Sequence, residues 1–192
     1  MYAFLLSTVV IFVAELGDKS QLMAMTFATR YKVRDVLIAI TAATAIVHLA
    51  SVGIGFWIGD AFADHQNWIS IVAGIAFFGF AAWTLRGDEL TEDEAAKARN
   101  STGMAILAVG TAFFLAELGD KTMLATITLA TQEGWLGTWI GSTLGMVAAD
   151  ALAIGVGALL GKNLPEKTIK IGAAVLFALF GLVLVLDGAG VF

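Results

Sequence analysis

Apolar letters run along this chain in six long blocks, at about 3–29, 35–59, 67–86, 103–130, 135–161 and 168–187. Short polar punctuation separates them. A bilayer core takes about 20 helical residues to cross, so the pattern predicts six transmembrane helices with little outside the membrane. Met1 to Ala14 is apolar but lacks the positive n-region of a secretory signal. With a matching apolar lead-in at 104–116, residues 3–29 read as a retained helix.

A repeat underlies the blocks. Residues 14–19 read Ala-Glu-Leu-Gly-Asp-Lys, and residues 116–121 read the same six letters. The offset from Glu15 to Glu117 is 102, and it continues without a gap. Leu22, Thr26, Ala28 and Thr29 fall on Leu124, Thr128, Ala130 and Thr131; Ile38 and Thr41 fall on Ile140 and Thr143. Gly53, Gly55, Gly59 and Gly79 fall on Gly155, Gly157, Gly161 and Gly181. Such self-similarity defines the fold before anything else does. The chain reads as a first three-helix repeat at 1–86, an acidic cytoplasmic linker at 87–101 and a second three-helix repeat at 102–192. Three helices is an odd number, so the second repeat enters the membrane from the opposite side. The expected fold class is an all-α integral membrane protein, one membrane domain of six transmembrane helices in two inverted three-helix repeats. Inverted repeats are a hallmark of secondary transporters, whose sites lie near the midplane at the repeat interface.

Charge sets an orientation. Of eleven Lys and Arg, two (Lys19 and Lys121) belong to the repeated phrase. The other nine, Arg30, Lys32, Arg34, Arg86, Lys97, Arg99, Lys162, Lys167 and Lys170, all lie in or beside loops 1–2, 3–4 and 5–6. The positive-inside rule then places the odd-numbered loops in the cytoplasm and both termini outside. Trp57, Trp68, Trp135 and Trp139 flank the outer loops, and Trp83 nears the inner face, as interfacial aromatic belts do. The chain is 59% hydrophobic and 14% charged, against about 25% charged in soluble domains. It has no cysteine, which excludes disulfides and thiolate metal sites. Much of the net charge of −5 sits in the linker, at Asp88, Glu89, Glu92, Asp93 and Glu94. That segment reads as a solvated connector, with a regulatory or cation-attracting role left open. No basic stripe suggests a nucleic-acid partner.

The chemistry lies in the phrases. In each, Glu and Asp stand three apart, so on a helix they share one face. Ionisable groups at this depth are expensive and mark functional sites. The candidate metal ligands are Glu15, Asp18, Glu117 and Asp120. Ser20, Thr122 and Gln21, with Thr26 and Thr128, are candidate neutral oxygen donors. Gly17 and Gly119 each weaken a helix by about 1 kcal/mol relative to alanine, and Asp18 to Gln21 reads as a capping-box start. A bent or interrupted helix is expected, less firmly in the second copy, where Met123 replaces Gln21. Oxygen-rich, sulfur-free surroundings suit hard divalent cations such as Ca²⁺, Mn²⁺ or Mg²⁺. Converging carboxylates repel one another unless a cation or protons neutralise them, and these compete for the same oxygens.

Lys19 and Lys121 each lie four residues after their Glu and can pair with it. They act as structural ion pairs or as tethered counter-charges for an empty site; an ammonium has no lone pair for a metal. His48 and Asp150 occupy equivalent places in the two repeats, as polar groups in apolar surroundings. Both are candidates for a proton path, and His48 reads equally well as a packing residue. Gly55-x-x-x-Gly59, Gly157-x-x-x-Gly161 and Gly141-x-x-x-Gly145 are assigned to helix packing.

The doubled Glu-Leu-Gly-Asp-Lys-Ser/Thr phrase, at 15–20 and 117–122, resembles the Glu-x-Gly-Asp-Lys/Arg-Ser/Thr signature of a transporter family. That family includes Golgi manganese/calcium transporters of eukaryotes, chloroplast relatives and bacterial manganese exporters. The resemblance covers the whole chain. It implies exchange of Mn²⁺ or Ca²⁺ against protons and, for bacterial members, manganese efflux; alternating access around a midplane carboxylate site is the expected mechanism. The signature acids carry over to Glu15, Asp18, Glu117 and Asp120, with Lys19, Lys121, Ser20 and Thr122 beside them. The short N-terminus and central loop point to a compact protein of a prokaryotic inner membrane. The expected partners are the lipid bilayer and a divalent metal ion, with no cofactor and a homo-oligomer left open. Two alternatives are an exporter of another small cation, such as a basic amino acid, and a non-transporting cation-binding subunit. An enzyme is disfavoured, because His48 and His65 are the only histidines and no His-Glu-x-x-His motif occurs.

Overall fold

The structure is a computed structural model that describes residues 1–86, 91–93, 96, 104–160 and 166–191. Most of the predicted linker, with Asp88, Glu89 and Glu94, lies outside the described residues, as do Gly161, Lys162 and Pro165; Glu92 and Asp93 are exposed. The elements run α1 (Tyr2–Glu15), α2 (Lys19–Ala28), α3 (Val33–Ala61), a 3-10 turn (Ala63–His65) and α4 (Gln66–Arg86), then α5 (Ala105–Glu117), α6 (Lys121–Ala130), α7 (Trp135–Leu160) and α8 (Glu166–Gly188). No strand occurs among the described residues.

Four stretches are long and apolar enough to cross a membrane: Val33–Ala61, Ala63–Arg86, Trp135–Gly157 and Lys170–Gly188. The first and fourth apolar blocks are each divided in two, giving the shorter apolar helices Tyr2–Glu15 and Ala105–Glu117 followed by α2 and α6. The surface identifies the medium. Leu5, Val9, Ile46, Val72, Leu107 and Val175 are exposed, whereas Glu15, Asp18, Glu117, Asp120 and Asp150 are buried. An apolar exterior around a charged interior suits hydrocarbon and would aggregate in water. This is an all-helical membrane protein.

Small residues decide how the helices meet. α1 runs parallel to α7, with Gly137 against Ala3, Gly141 against Phe4 and Gly145 against Thr8 and Phe12. A Cβ at Gly141 or Gly145 would strike the α1 backbone. Gly55 and Gly59 of α3 give the same close approach to Ile127, Ala130 and Thr131, and Gly157 of α7 meets Met25. The Gly55–Ile127 and Gly157–Met25 contacts are related by the 102-residue offset. α4 and α8 pair antiparallel, with Gly74 opposite Gly181 and Asn67 opposite Gly188. Thr44 Oγ1 even touches Met146 Sδ at 3.4 Å, two positions one full offset apart.

Two apolar clusters lie between these contacts. One joins Phe27, Ile40 and Phe113 of α2, α3 and α5. The other joins Ile11, Phe77, Leu129, Met146 and Phe177 of α1, α4, α6, α7 and α8. The charged phrases enter the interior at the breaks between α1 and α2 and between α5 and α6.

Candidate ion-binding site

Each phrase stops one helix and starts another. Glu15 ends α1, Leu16 is extended (φ −61°, ψ 121°), and Gly17 takes φ 76°. Asp18 then caps α2, its carboxylate accepting from the Ser20 backbone N–H. The second copy repeats the same path, with Leu118 extended (φ −66°, ψ 112°), Gly119 at φ 80° and Asp120 accepting from the Thr122 N–H. A left-handed φ disfavours any side chain with a Cβ, which explains glycine at this step. The break corrects one expectation: Glu and Asp do not share a helical face. Glu15 and Glu117 close one helix each, while Asp18 and Asp120 open the next.

The break also redirects the lysines. Pairing between Glu and Lys four apart requires an unbroken helix. Instead the lysines cross to the other phrase. Lys121 Nζ binds Asp18 Oδ1, and Lys19 Nζ stands 3.7 Å from Asp120 Oδ1. The two crossed pairs are unequal. The Lys121 side chain is 4% exposed and that of Lys19 is 18% exposed. One pair is dry; the other is looser and partly wetted.

Hydroxyls hold the glutamates. Ser20 Oγ donates to Glu15 Oε1 and lies 3.2 Å from Asp18 Oδ2; Thr122 Oγ1 donates to Glu117 Oε2 at 2.8 Å. Each glutamate keeps one buried oxygen with no hydrogen-bond partner, Oε2 of Glu15 and Oε1 of Glu117. Unpaired carboxylate oxygens in a dry interior are costly unless a ligand meets them. Glu15 lies within electrostatic reach of Asp18, Glu117, Asp150 and Lys121, and Glu117 within reach of Asp120, Asp18 and Asp150. The two phrases therefore form one charged region. Among the described residues, no three His, Asp or Glu side chains already stand as a closed metal cluster.

The neutral candidates divide. Ser20 and Thr122 are inside the region. Gln21 is a brace: its Oε1 accepts from the Gly17 N–H at 2.8 Å, and its Nε2 donates to the Ala149 carbonyl of α7 at 2.9 Å. Met123 takes that place in the second copy, its sulfur 3.1 Å from the Gly119 nitrogen. Thr26 and Thr128 bond back to the carbonyls of Leu22 and Leu124, and Thr128 lines an apolar groove of about 450 Å³ with Phe62, Trp68 and Ile127. His48 and Asp150 are fully buried, and neither side chain has a hydrogen-bond partner.

The glycine in each phrase ends the helical register that would pair Glu with Lys, and packing between the two halves decides which acid each lysine meets. A further polar contact went unread. Ser70 of α4 approaches Asp187 of α8 at 3.2 Å and Gln132, beyond the end of α6, at 3.3 Å.

Residues 3–92 and 105–191 match the family described as divalent cation/proton antiporter GDT1. The chain is 33% identical over 189 residues to the "Putative manganese exporter" of Vibrio cholerae, covering 95% of this chain and 90% of that protein. It is 29% identical over 196 residues to a GDT1-like protein of Synechocystis, covering 94% of this chain and 95% of that one. It is 32% identical over 197 residues to the chloroplastic GDT1-like protein 2 of Oryza sativa; 88% of this chain is covered, but only 57% of the rice protein. No solved structure matches the chain.

Proposed function

The chain belongs to the divalent cation/proton antiporter GDT1 family, and from that premise we propose that it exports Mn²⁺ from the cytoplasm in exchange for protons. The site is built from Glu15, Asp18, Glu117 and Asp120, supplied by both halves of the chain. One observation carries this reading: the crossed ion pairs leave a buried glutamate oxygen on each side of a region that already accommodates a cation, the Lys121 ammonium.

Lysine serves as a stand-in for the substrate. With no metal bound, Lys121 neutralises Asp18, so the carboxylates need not face one another uncompensated. A divalent ion collects the free oxygens of Glu15 and Glu117 and displaces the ammonium. Protons compete for the same oxygens, which couples loading with one to release of the other. Ca²⁺ and Mn²⁺ both accept carboxylate oxygen; the manganese name of the Vibrio relative favours Mn²⁺ here.

Alternating access follows from two inverted three-helix repeats, at 1–86 and 102–192, joined by the 87–101 linker. The contacts repeated at an offset of 102 support that architecture, and so do the two broken helices, which are tolerated at membrane depth where they line protein or a cavity. In this arrangement α1 with α2, and α5 with α6, complete the first and fourth of six spans. Loop charges favour an inner-membrane protein with both termini outside and odd-numbered loops in the cytoplasm. Inverted vesicles carrying a pH gradient test the proposal: they accumulate Mn²⁺ with the native chain and fail with Glu15→Gln or Asp120→Asn. Full uptake by both variants would remove these residues from the site. Because the region already holds an ammonium, lysine export is the second reading, and competition by free lysine rather than Mn²⁺ would favour it.

A further inference from the structure

Asp150 is the carboxylate that the crossed pairs leave out. It lies on α7, fully buried, and neither of its oxygens has a hydrogen-bond partner. Every other acid in the region has a donor: Ser20 for Glu15, Lys121 for Asp18, Thr122 for Glu117 and Lys19 for Asp120. A buried acid kept for structure is expected to be paired in the same way. Among the described residues, no basic group pairs with Asp150.

Gln21 ties the α1–α2 break to the carbonyl of Ala149, the residue just before Asp150. Asp150 lies within electrostatic reach of Asp18, Glu15 and Glu117. Buried carboxylate oxygens without a partner on Glu15 (Oε2), Glu117 (Oε1) and Asp150 (both) thus belong to one neighbourhood. The equivalent place in α3 holds His48, which cannot supply a carboxylate, so the feature is not duplicated.

We propose that Asp150 is a fifth carboxylate ligand of the transported divalent cation, joining the Glu15–Asp18 half of the site. This rests on the exchange-site reading above and makes the two halves chemically unlike. The first offers three carboxylates to a hard cation. The second offers two and a neighbouring imidazole position. No closed metal cluster stands there among the described residues, so loading gathers these side chains around the ion while the Gln21–Ala149 hydrogen bond holds α7 to the α1–α2 break.

Mn²⁺ binding by the purified full chain, followed by calorimetry and by the Mn²⁺ spin-resonance signal, tests this with Asp150→Asn, Asp150→Glu and Glu15→Gln. Loss of an outer-shell partner alone weakens metal affinity by roughly 10–100-fold, so Asp150→Asn weakens Mn²⁺ binding at least about tenfold. Asp150→Glu retains binding within severalfold of native. The metal-free Asp150→Asn protein melts close to the native temperature, because the substitution removes no hydrogen bond or ion pair. Three results overturn the proposal: native-like Mn²⁺ affinity in Asp150→Asn, the same affinity with loss of proton coupling alone, or a lowered melting temperature without metal. Failure of Glu15→Gln to bind alongside an unaffected Asp150→Asn sinks only this inference. Native binding by both variants sinks the exchange-site reading as well.

Discussion

Replacing Lys121 by methionine isolates the crossed ion pair. The Asp18 side chain has no exposure and that of Lys121 only 4%, so the variant leaves a carboxylate in a dry interior without its cation. Breaking a buried pair from one side costs about 3–5 kcal/mol. Lys19→Met is the matched control. Its pair is longer, at 3.7 Å, and Lys19 is 18% exposed although Asp120 is only 3% exposed, which puts its loss above that of a fully exposed pair but below that of Lys121. Thermal unfolding in detergent without metal then ranks native above Lys19→Met, with Lys121→Met far below both. Adding Asp18→Asn to Lys121→Met removes the stranded charge and recovers most of the loss, a coupling that a double-mutant cycle measures directly. Lys121→Met also gains more from Mn²⁺ than the native chain does, because no ammonium competes for Asp18. A ligand at a hundred times its dissociation constant adds about 2.7 kcal/mol. Equal melting of the two lysine variants, or no rescue by Asp18→Asn, would refute the reasoning.

Other outcomes follow from the breaks and the close contacts. Gly17→Ala or Gly119→Ala places a Cβ at φ 76° or 80°. That strain is about 1–2 kcal/mol, and the initial rate of Mn²⁺ flux falls by roughly tenfold. Gly55→Leu drives a side chain into the Ile127 carbonyl and Ala130, whereas Gly53 faces open space. Overpacking costs about 1–3 kcal/mol, so Gly55→Leu lowers the detergent melting temperature clearly, and Gly53→Leu leaves it within the scatter of neutral surface changes.

Much of the helix arrangement was legible in the letters. The apolar blocks correspond to helices, and Gly55, Gly59, Gly141, Gly145 and Gly157 to close approaches, whereas Gly53, Gly79 and Gly155 face open space and Gly161 lies outside the described residues. The four phrase acids, Ser20 and Thr122 do gather in one buried region. What periodicity misread was the interior of each phrase. Counting three from Glu15 to Asp18 and four from Glu15 to Lys19 assumes 100° per residue, and Gly17 cancels that assumption. Which acid a lysine then meets is decided by the packing of α1 on α7 and of α5 on α3, and no local pattern encodes it. Gln21, a candidate oxygen donor by sequence, braces the break instead, because only the tertiary fold puts the Ala149 carbonyl within its reach.

The central claim is that carboxylates from both phrases form a single site that exchanges a divalent cation for protons. Purified chain in proteoliposomes, with Mn²⁺ uptake and proton release recorded together, tests it most directly. The account predicts that the two fluxes appear together without any partner protein and that Glu15→Gln and Glu117→Gln each abolish both. Mn²⁺ flux that persists in either variant, or that proceeds with no proton counter-flux in the native chain, would contradict it.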